Sequence, residues 1–368
     1  MFPIDMKASE EAFSKAGFSD AQVRDLVSSG YVVESGLVID RFYGGRLLSS
    51  DLRSRMKLDR FIEEPFAQSH PALVYHATSM QDVLDCLVKW RQLSSRHLLF
   101  RGQNCSYPLK RARPNPAYAI NGFGEISLLP SLWRKMLASG HVGRENFRNL
   151  SPLEWSKVLY YNFEIAEVEA RQDKALRRGD WMYSAQDMED SDDPVLHAFG
   201  KQRLDVMMGL EMDLLTPTQT VLQHYGLLSP LLDLTTDVDI AMFFATHKCA
   251  TDSGSGFCTY EQIGTNNGRS VLYVFRENPD EMQGHEYQRV LERIRPQRPI
   301  RQSCVVAFGG LDALNLPLEF LFGVIVLEFD EIPPSKYRVH DLFPGPNEDH
   351  FLDALLKKLQ FPRLVSTF

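Results

Sequence analysis

The sequence predicts an α+β protein, and three observations carry that reading. Helix-patterned segments mostly precede and interrupt a run of strand-patterned ones, without the regular alternation of a βαβ chain. Hydrophobic residues make up 44% and charged residues 24%, enough apolar material for a real core, which excludes a disordered chain or a collagen-like or coiled-coil rod. The 368 residues fit one large domain with additions, or two modest ones, at roughly 100–200 residues per domain. No uncharged apolar run approaches the ~20 residues that cross a bilayer. The longest, Phe320 to Leu327, is strand-sized and bounded by Glu319 and Glu328. The opening MFPIDMKASEEAF places acids where a signal peptide needs an apolar core, so the expectation is a soluble, cytoplasmic protein.

Residues 1–70 read as an N-terminal accessory region. Ser19 is suited to cap a helix carrying Ala21, Val23, Leu26 and Val27, and short strands follow at Tyr31 to Val33 and Leu37 to Ile39. From Leu73 the pattern becomes regular, so residues 71–368 read as the main domain, with a helical insertion around 130–215. A strand at Leu73 to His76 leads to a helix with Ser79 as cap and Asp82 at the capping-box position. His97 to Phe100 is a short apolar strand running into Arg101, and proline-rich turns cover Pro108 to Pro116. Helices are expected after Pro130 and over Tyr160 to Arg178, with the acidic run Asp187 to Asp193 as an exposed loop. Thr218 to Tyr225 reads as helix and Leu231 to Leu234 as a buried strand, after which Asp237 caps a helix through Ala245. Phe257 to Ile263 and Ser270 to Phe275 read as strands joined across Asn267-Gly268, a favoured hairpin dipeptide. Strands at Cys304 to Phe308 and Phe320 to Phe329, then an amphipathic helix from Asp349, close the chain.

The five cysteines form no CxxC pair, so they read as thiols in a reducing compartment, and no closely spaced Cys/His pair suggests a metal site. A formal charge of −8 disfavours broad nucleic-acid binding. Local arginine concentrations at Arg289 to Arg301 and at Lys110, Arg111 and Arg113 point instead to a discrete phosphate-bearing ligand. The P-loop, GxGxxG, HExxH and GxSxG signatures are all missing.

Three segments carry candidate chemistry. In Phe100-Arg101-Gly102-Gln103 an arginine at a strand end offers a planar fork for phosphate oxygens, or a salt bridge within its own fold, and Gly102 permits close backbone approach. The block Gln223 to Ala245 combines His224, Tyr225 and a helix stop at Gly226 with a strand holding Asp233 and Thr235. A carboxylate inside an apolar strand needs partners, so Asp233 either orients a ligand hydroxyl or ties down a loop. His224 is either an acid/base group or a hydrogen-bonded structural histidine. The third segment, Arg293-Ile-Arg-Pro-Gln297, precedes the Cys304 strand and is either ligand-facing or a solvated edge.

Together these segments resemble the FRG domain, a family named for its Phe/Tyr-Arg-Gly motif. Phe100-Arg101-Gly102-Gln103 looks like the naming motif, and Leu129-Pro-Ser-Leu-Trp-Arg134 resembles its Pro-Ser-Leu-x-Arg element. Gln223-His-Tyr-Gly226 through Thr235 and Ala241-Met-Phe-Phe-Ala245 is similar to its most characteristic block. Arg293-Ile-x-x-Gln297 and Asp341-Leu-Phe-Pro-Gly345 resemble its two later elements. The resemblance spans residues 72–359 in order, with departures at Ser229-Pro230 and after Gln297.

The resemblance implies a remote relation to ADP-ribosyltransferases, hence a split β-sandwich with surrounding helices around an NAD cleft. It implies an NAD- or nucleotide-binding bacterial protein, acting by ADP-ribosyl transfer or NAD hydrolysis in antiphage defence or as a toxin. The other reading is a non-catalytic nucleotide-sensing or protein-interaction module. Implied catalytic positions are Arg101, Asp233 and Gln297. Implied ligand-binding positions are Arg101, Gly102, Gln103, His224, Tyr225, Thr235, Arg293 and Gln302, with NAD as the substrate-type ligand, a protein as acceptor and no metal. Cleavage at the ribose passes through an oxocarbenium-like state that a carboxylate stabilises, yet no acid occurs between Glu292 and Asp312. That leaves Asp233 or Glu292 to supply the charge. His76-Ala-Thr78 also resembles the His-Gly-Thr element of another ADP-ribosyltransferase branch.

Overall fold

The computed structural model describes residues 6–34, 36–40, 55–58, 72–115, 118–131, 163–182, 184–211, 220–221, 223–226, 229, 231–251, 258–264, 269–280, 282–284, 295–307 and 320–358. The N-terminal region begins with α1 (Met6–Lys15), a helix beyond those expected from the sequence, and α2 (Asp20–Ser28). Ser19 caps α2 in a full capping box with Gln22. Next come β1 (Tyr31–Glu34) and β2 (Leu37–Asp40), an antiparallel pair extended by β3 (Arg55–Lys57). Phe13, Val23, Leu26, Tyr31 and Val38 give this region a small core of its own.

The main body opens with β4 (Leu73–Ala77), α3 (Met80–Leu93) and β5 (Leu98–Gln103). Ser79 and Asp82 form the expected capping box on α3. A short ribbon, β6 (Ala119–Ile120) with β7 (Gly124–Glu125), precedes three helices: α4 (Ile165–Arg177), α5 (Ala185–Glu189) and α6 (Pro194–Glu211). Then come β8 (Leu232–Thr235), α7 (Val238–Thr246), β9 (His247–Thr251), β10 (Cys258–Gln262), β11 (Val271–Arg276) and β12 (Met282–Gly284). The described chain finishes with α8 (Gln297–Arg301), β13 (Cys304–Ala307), β14 (Leu321–Leu327), α9 (Val339–Leu342) and α10 (His350–Lys358). This is a mixed α+β protein. Among the described residues no helix is long and apolar enough to cross a membrane.

One seven-stranded sheet, ordered β12-β13-β8-β5-β11-β14-β4, organises the body. Its pairings are antiparallel except β14 with β4. The two-residue period of the strands sorts side chains cleanly between faces. Leu99, Val271, Tyr273 and Phe275 join one core with Tyr118 and Ile126 near the ribbon. Phe100, Leu272 and Val274 join the other, which α3 and α7 cover through Val83, Leu87, Trp90, Ala241 and Ala245.

Three sequence expectations need correction. β10 and β11 do not form a hairpin: β10 pairs with β9, while β11 sits between β5 and β14. A fully apolar β11 is drawn into the sheet centre, where burying both of its faces outweighs a local turn preference; Asn267-Gly268 lies outside the described residues. The acidic run is a loop only over residues 190–193, and two of its carboxylates serve helix ends. Asp187 completes a capping box with Ser184 on α5, and Asp193 accepts the Val195 and Leu196 amides at the start of α6 while pairing with Arg171 at 2.9 Å.

The third correction concerns Arg111, expected as part of a phosphate-facing cluster. It is instead a buried strut between the N-terminal region and the body. Its guanidinium donates to Asp40 at 2.6 and 3.0 Å, to Glu125 on β7 at 2.5 and 2.9 Å, and to the Ser29 carbonyl at 2.7 Å. The arginine side chain is 3% exposed, Asp40 2% and Glu125 0%. Asn115 adds a bond to Asp40, and the Arg113 amide one to Ser29. Removing one partner from such a cluster strands the others in low dielectric. Arg111→Met should therefore lower unfolding free energy by about 3–5 kcal/mol in a urea titration, and a loss below about 1 kcal/mol would contradict the strut.

Candidate functional site

β5 and β8 meet at a single register position, Phe100 opposite Thr235. Beyond it the two strands part. Arg101 reaches across the opening, its Nη1 donating to the Asp233 carbonyl at 2.6 Å, so a side chain takes over where the backbone ladder stops. A pocket of about 250 Å³ lies at this opening. Its walls come from Phe100, Arg101 and Gly102 of β5, the β8 strand, Gln302 and Cys304 flanking the turn into β13, and His224 with Gln223 from the preceding helical turn.

Local physics fixes each wall. A Cβ on Gly102 would lie 1.7 Å from the Ala241 carbonyl oxygen and 2.8 Å from the Ala245 nitrogen. The residue lines the pocket, but the approach that forbids a side chain is that of α7, rather than of a ligand. The Thr235 hydroxyl donates to the Gln302 carbonyl at 2.9 Å and accepts the Asp237 amide at 3.1 Å, joining β8 to the start of α7 and the end of α8. Gln302 in turn donates through Nε2 to the Leu342 carbonyl at 3.1 Å. Ser303 then adopts φ 44°, a left-handed turn that ends α8 and sends Cys304 into β13 opposite Thr235.

His224, Asp233 and Cys304 converge. His224 Nε2 lies 3.1 Å from Cys304 Sγ and 3.6 Å from Asp233 Oδ1, and Cys304 Sγ lies 3.8 Å from the same oxygen. The histidine side chain is 3% exposed and the aspartate 33%, so the cluster is buried on one side and open on the other. His224 is held from behind, since its carbonyl accepts Arg298 Nη1 at 3.1 Å. Arg298 lies over the Tyr225 ring at 5.0 Å, and burial pulls its pKa below the usual arginine range.

Arg101, Gly102, His224, Asp233, Thr235 and Gln302 thus share one pocket. Gln103, Tyr225 and Gln297 stand apart from its lining. Gln103 ends β5 opposite Val271. Tyr225 is buried behind the pocket, donating to the Asp349 carboxylate and meeting Phe351 edge-on at 4.9 Å. Burial, with the Asp349 charge, pushes its phenol well above the usual range. Gln297 opens α8 and donates to the Arg295 carbonyl at 3.0 Å. Arg293 lies outside the described residues. His76 is exposed on edge strand β4, 2.8 Å from Glu328.

Other residues also line the pocket, among them Cys304, Gln223, Phe244 and Tyr260, to which the sequence assigns no site role. In the sequence Cys304 shows only as a thiol at a strand start. Gln223 opens the Gln-His-Tyr-Gly segment, and its buried Oε1 has no hydrogen-bond partner among the described residues. Phe244 and Tyr260 line the pocket from α7 and β10, and Tyr260 stacks on Phe343 at 4.8 Å. No local pattern marks Tyr260, because its placement depends on the β9/β10 pairing.

Residues 167–253 match the family model of the FRG domain. The matched stretch runs from α4 to just past β9, including His224, Asp233 and Thr235, while Arg101 and Cys304 lie outside it. No curated protein and no solved structure matches the chain.

Because α7 rests directly on β5, Gly102→Ala should cost about 3 kcal/mol or more through forced separation of helix and strand. Thermal unfolding followed by circular dichroism measures this, and an unchanged midpoint would remove α7 from that contact.

Proposed function

We propose that this FRG domain-containing protein binds a pyrophosphate-bearing nucleotide of the NAD type in the β5/β8/β13 pocket and cleaves its nicotinamide–ribose bond. Within this reading, the parting of β5 from β8 corresponds to the split β-sandwich of ADP-ribosyltransferases. The observation that carries the proposal is a guanidinium and a carboxylate, Arg101 and Asp233, in one pocket. The absence of acids near Gln297 then ceases to be an obstacle, because the negative charge comes from β8.

In the reaction the C1′–N bond of the ribose breaks and nicotinamide leaves with the electron pair. Water or an acceptor nucleophile forms the new bond to C1′ and releases a proton. Arg101 holds the phosphate oxygens with its planar fork. The Asp233 carboxylate faces the positive charge that develops on the ribose, where a fixed charge in a partly dry pocket acts with little reorganisation. Gln223, with an unsatisfied buried carbonyl oxygen, accepts a donor of the ligand. The volume of about 250 Å³ suits one end of a dinucleotide rather than the whole molecule.

Nicotinamide release from NAD by the purified chain, with added protein and nucleic-acid acceptors, tests the proposal. Asp233→Asn keeps the shape and loses the charge, so release should fall by about 10²–10³-fold. No release by the unaltered protein with any acceptor, or full release by Asp233→Asn, overturns the catalytic reading. Binding of NAD without release would return the pocket to nucleotide sensing.

A further inference from the structure

We infer that His224, Asp233 and Cys304 form a mononuclear binding site for a divalent transition metal, zinc above all, whose remaining coordination position opens into the pocket. The inference goes beyond the nucleotide proposal and does not rest on it, since it requires only the mutual geometry of three side chains; a bound metal takes up the Asp233 charge, so the ribose-facing role of that carboxylate belongs to the metal-free pocket.

That geometry is the edge pattern of a tetrahedron. Zinc–nitrogen, zinc–oxygen and zinc–sulfur bonds of about 2.0–2.3 Å at tetrahedral angles place neighbouring ligand atoms about 3.3–3.6 Å apart. The three edges here are 3.1, 3.6 and 3.8 Å, bracketing that range. A Cys-His-Asp relay would use the two different ring nitrogens of the histidine, one for the thiol and one for the carboxylate. Here the thiol sulfur and the carboxylate oxygen both approach Nε2. One nitrogen cannot relay a proton between two partners on the same side, whereas three donor atoms around a common point are what a metal requires.

The donor set is suited to the ion. Thiolate, imidazole and carboxylate together select zinc or a similar borderline metal over magnesium or calcium, which take oxygen ligands. Three protein ligands are the number found in sites that keep one position open. The surroundings keep that opening specific. Cys304 is 1% exposed and His224 is buried, while the Asp233 side chain remains a third exposed toward the pocket that Arg101 shares. Sequence spacing concealed the arrangement because the ligands stand at 224, 233 and 304. They come from a helical turn and two neighbouring strands, and the β8/β13 pairing brings them together.

Cobalt(II) substitution tests the site directly. The full-length protein, stripped with a chelator and titrated with Co²⁺, should bind one equivalent, with visible bands of tetrahedral cobalt and a thiolate-to-cobalt charge-transfer band in the near ultraviolet. Zn²⁺ should displace it. Cys304→Ser, which changes one atom and retains the fold, should abolish the charge-transfer band, and His224→Gln should weaken Co²⁺ binding at least about 100-fold. Absence of any charge-transfer band, or a band that persists in Cys304→Ser, overturns the inference. Both readouts are independent of nicotinamide release, so failure here leaves the nucleotide proposal standing, and the reverse holds as well.

Discussion

The bond from Arg101 to the carbonyl of Asp233 is the interaction on which the site depends. Where β5 and β8 separate after one shared register position, a backbone carbonyl at a sheet break loses its ladder partner. A charged donor from the adjacent strand supplies the bond at 2.6 Å, and the break becomes a pocket instead of a defect. The guanidinium is thereby anchored at one corner with its fork still planar and oriented. Preorganisation of this kind reduces the ordering cost of gripping an anion.

Around that bridge, polar contacts serve as joints between elements. Thr235 connects β8 with α7 and the end of α8, and Gln302 extends the chain of bonds to α9. Arg298 braces the His224 backbone from the side remote from the pocket while packed over Tyr225. Arginines that looked like an anion-binding stripe therefore divide by burial: Arg111 and Arg298 hold the fold together, and Arg301 pairs with Glu348 at 2.6 Å. Among the described residues, Arg101 is the arginine that lines the pocket.

Much of the architecture was legible because its signals are local. Ser19, Ser79 and Asp237 all act as helix caps where the sequence placed them, since a short polar side chain before an apolar period has few other uses. The buried strands at 232–235, 304–307 and 321–327 followed from apolar runs of strand length. Misreadings arose where partners are distant. The destination of β11 depends on β5 and β14, more than 150 and about 50 residues away in the chain, and a hairpin dipeptide says nothing about either. The same holds at the site: Arg101 was legible as an arginine on an apolar strand, though β5 runs past it to Gln103, and Cys304, Gln223 and Tyr260 become pocket residues only through the sheet order. Gly102 shows a subtler limit, for its necessity was legible and its cause, the backbone of α7, was not.

The most direct test of the central claim is calorimetric titration of the full-length chain with ADP-ribose, which carries the pyrophosphate and lacks the bond to be cleaved. The account predicts one site per chain, weakened at least about tenfold in Arg101→Lys, because an ammonium cannot reproduce a planar fork held against a strand carbonyl. Absence of binding, or equal affinity in Arg101→Lys and the unaltered protein, would contradict it.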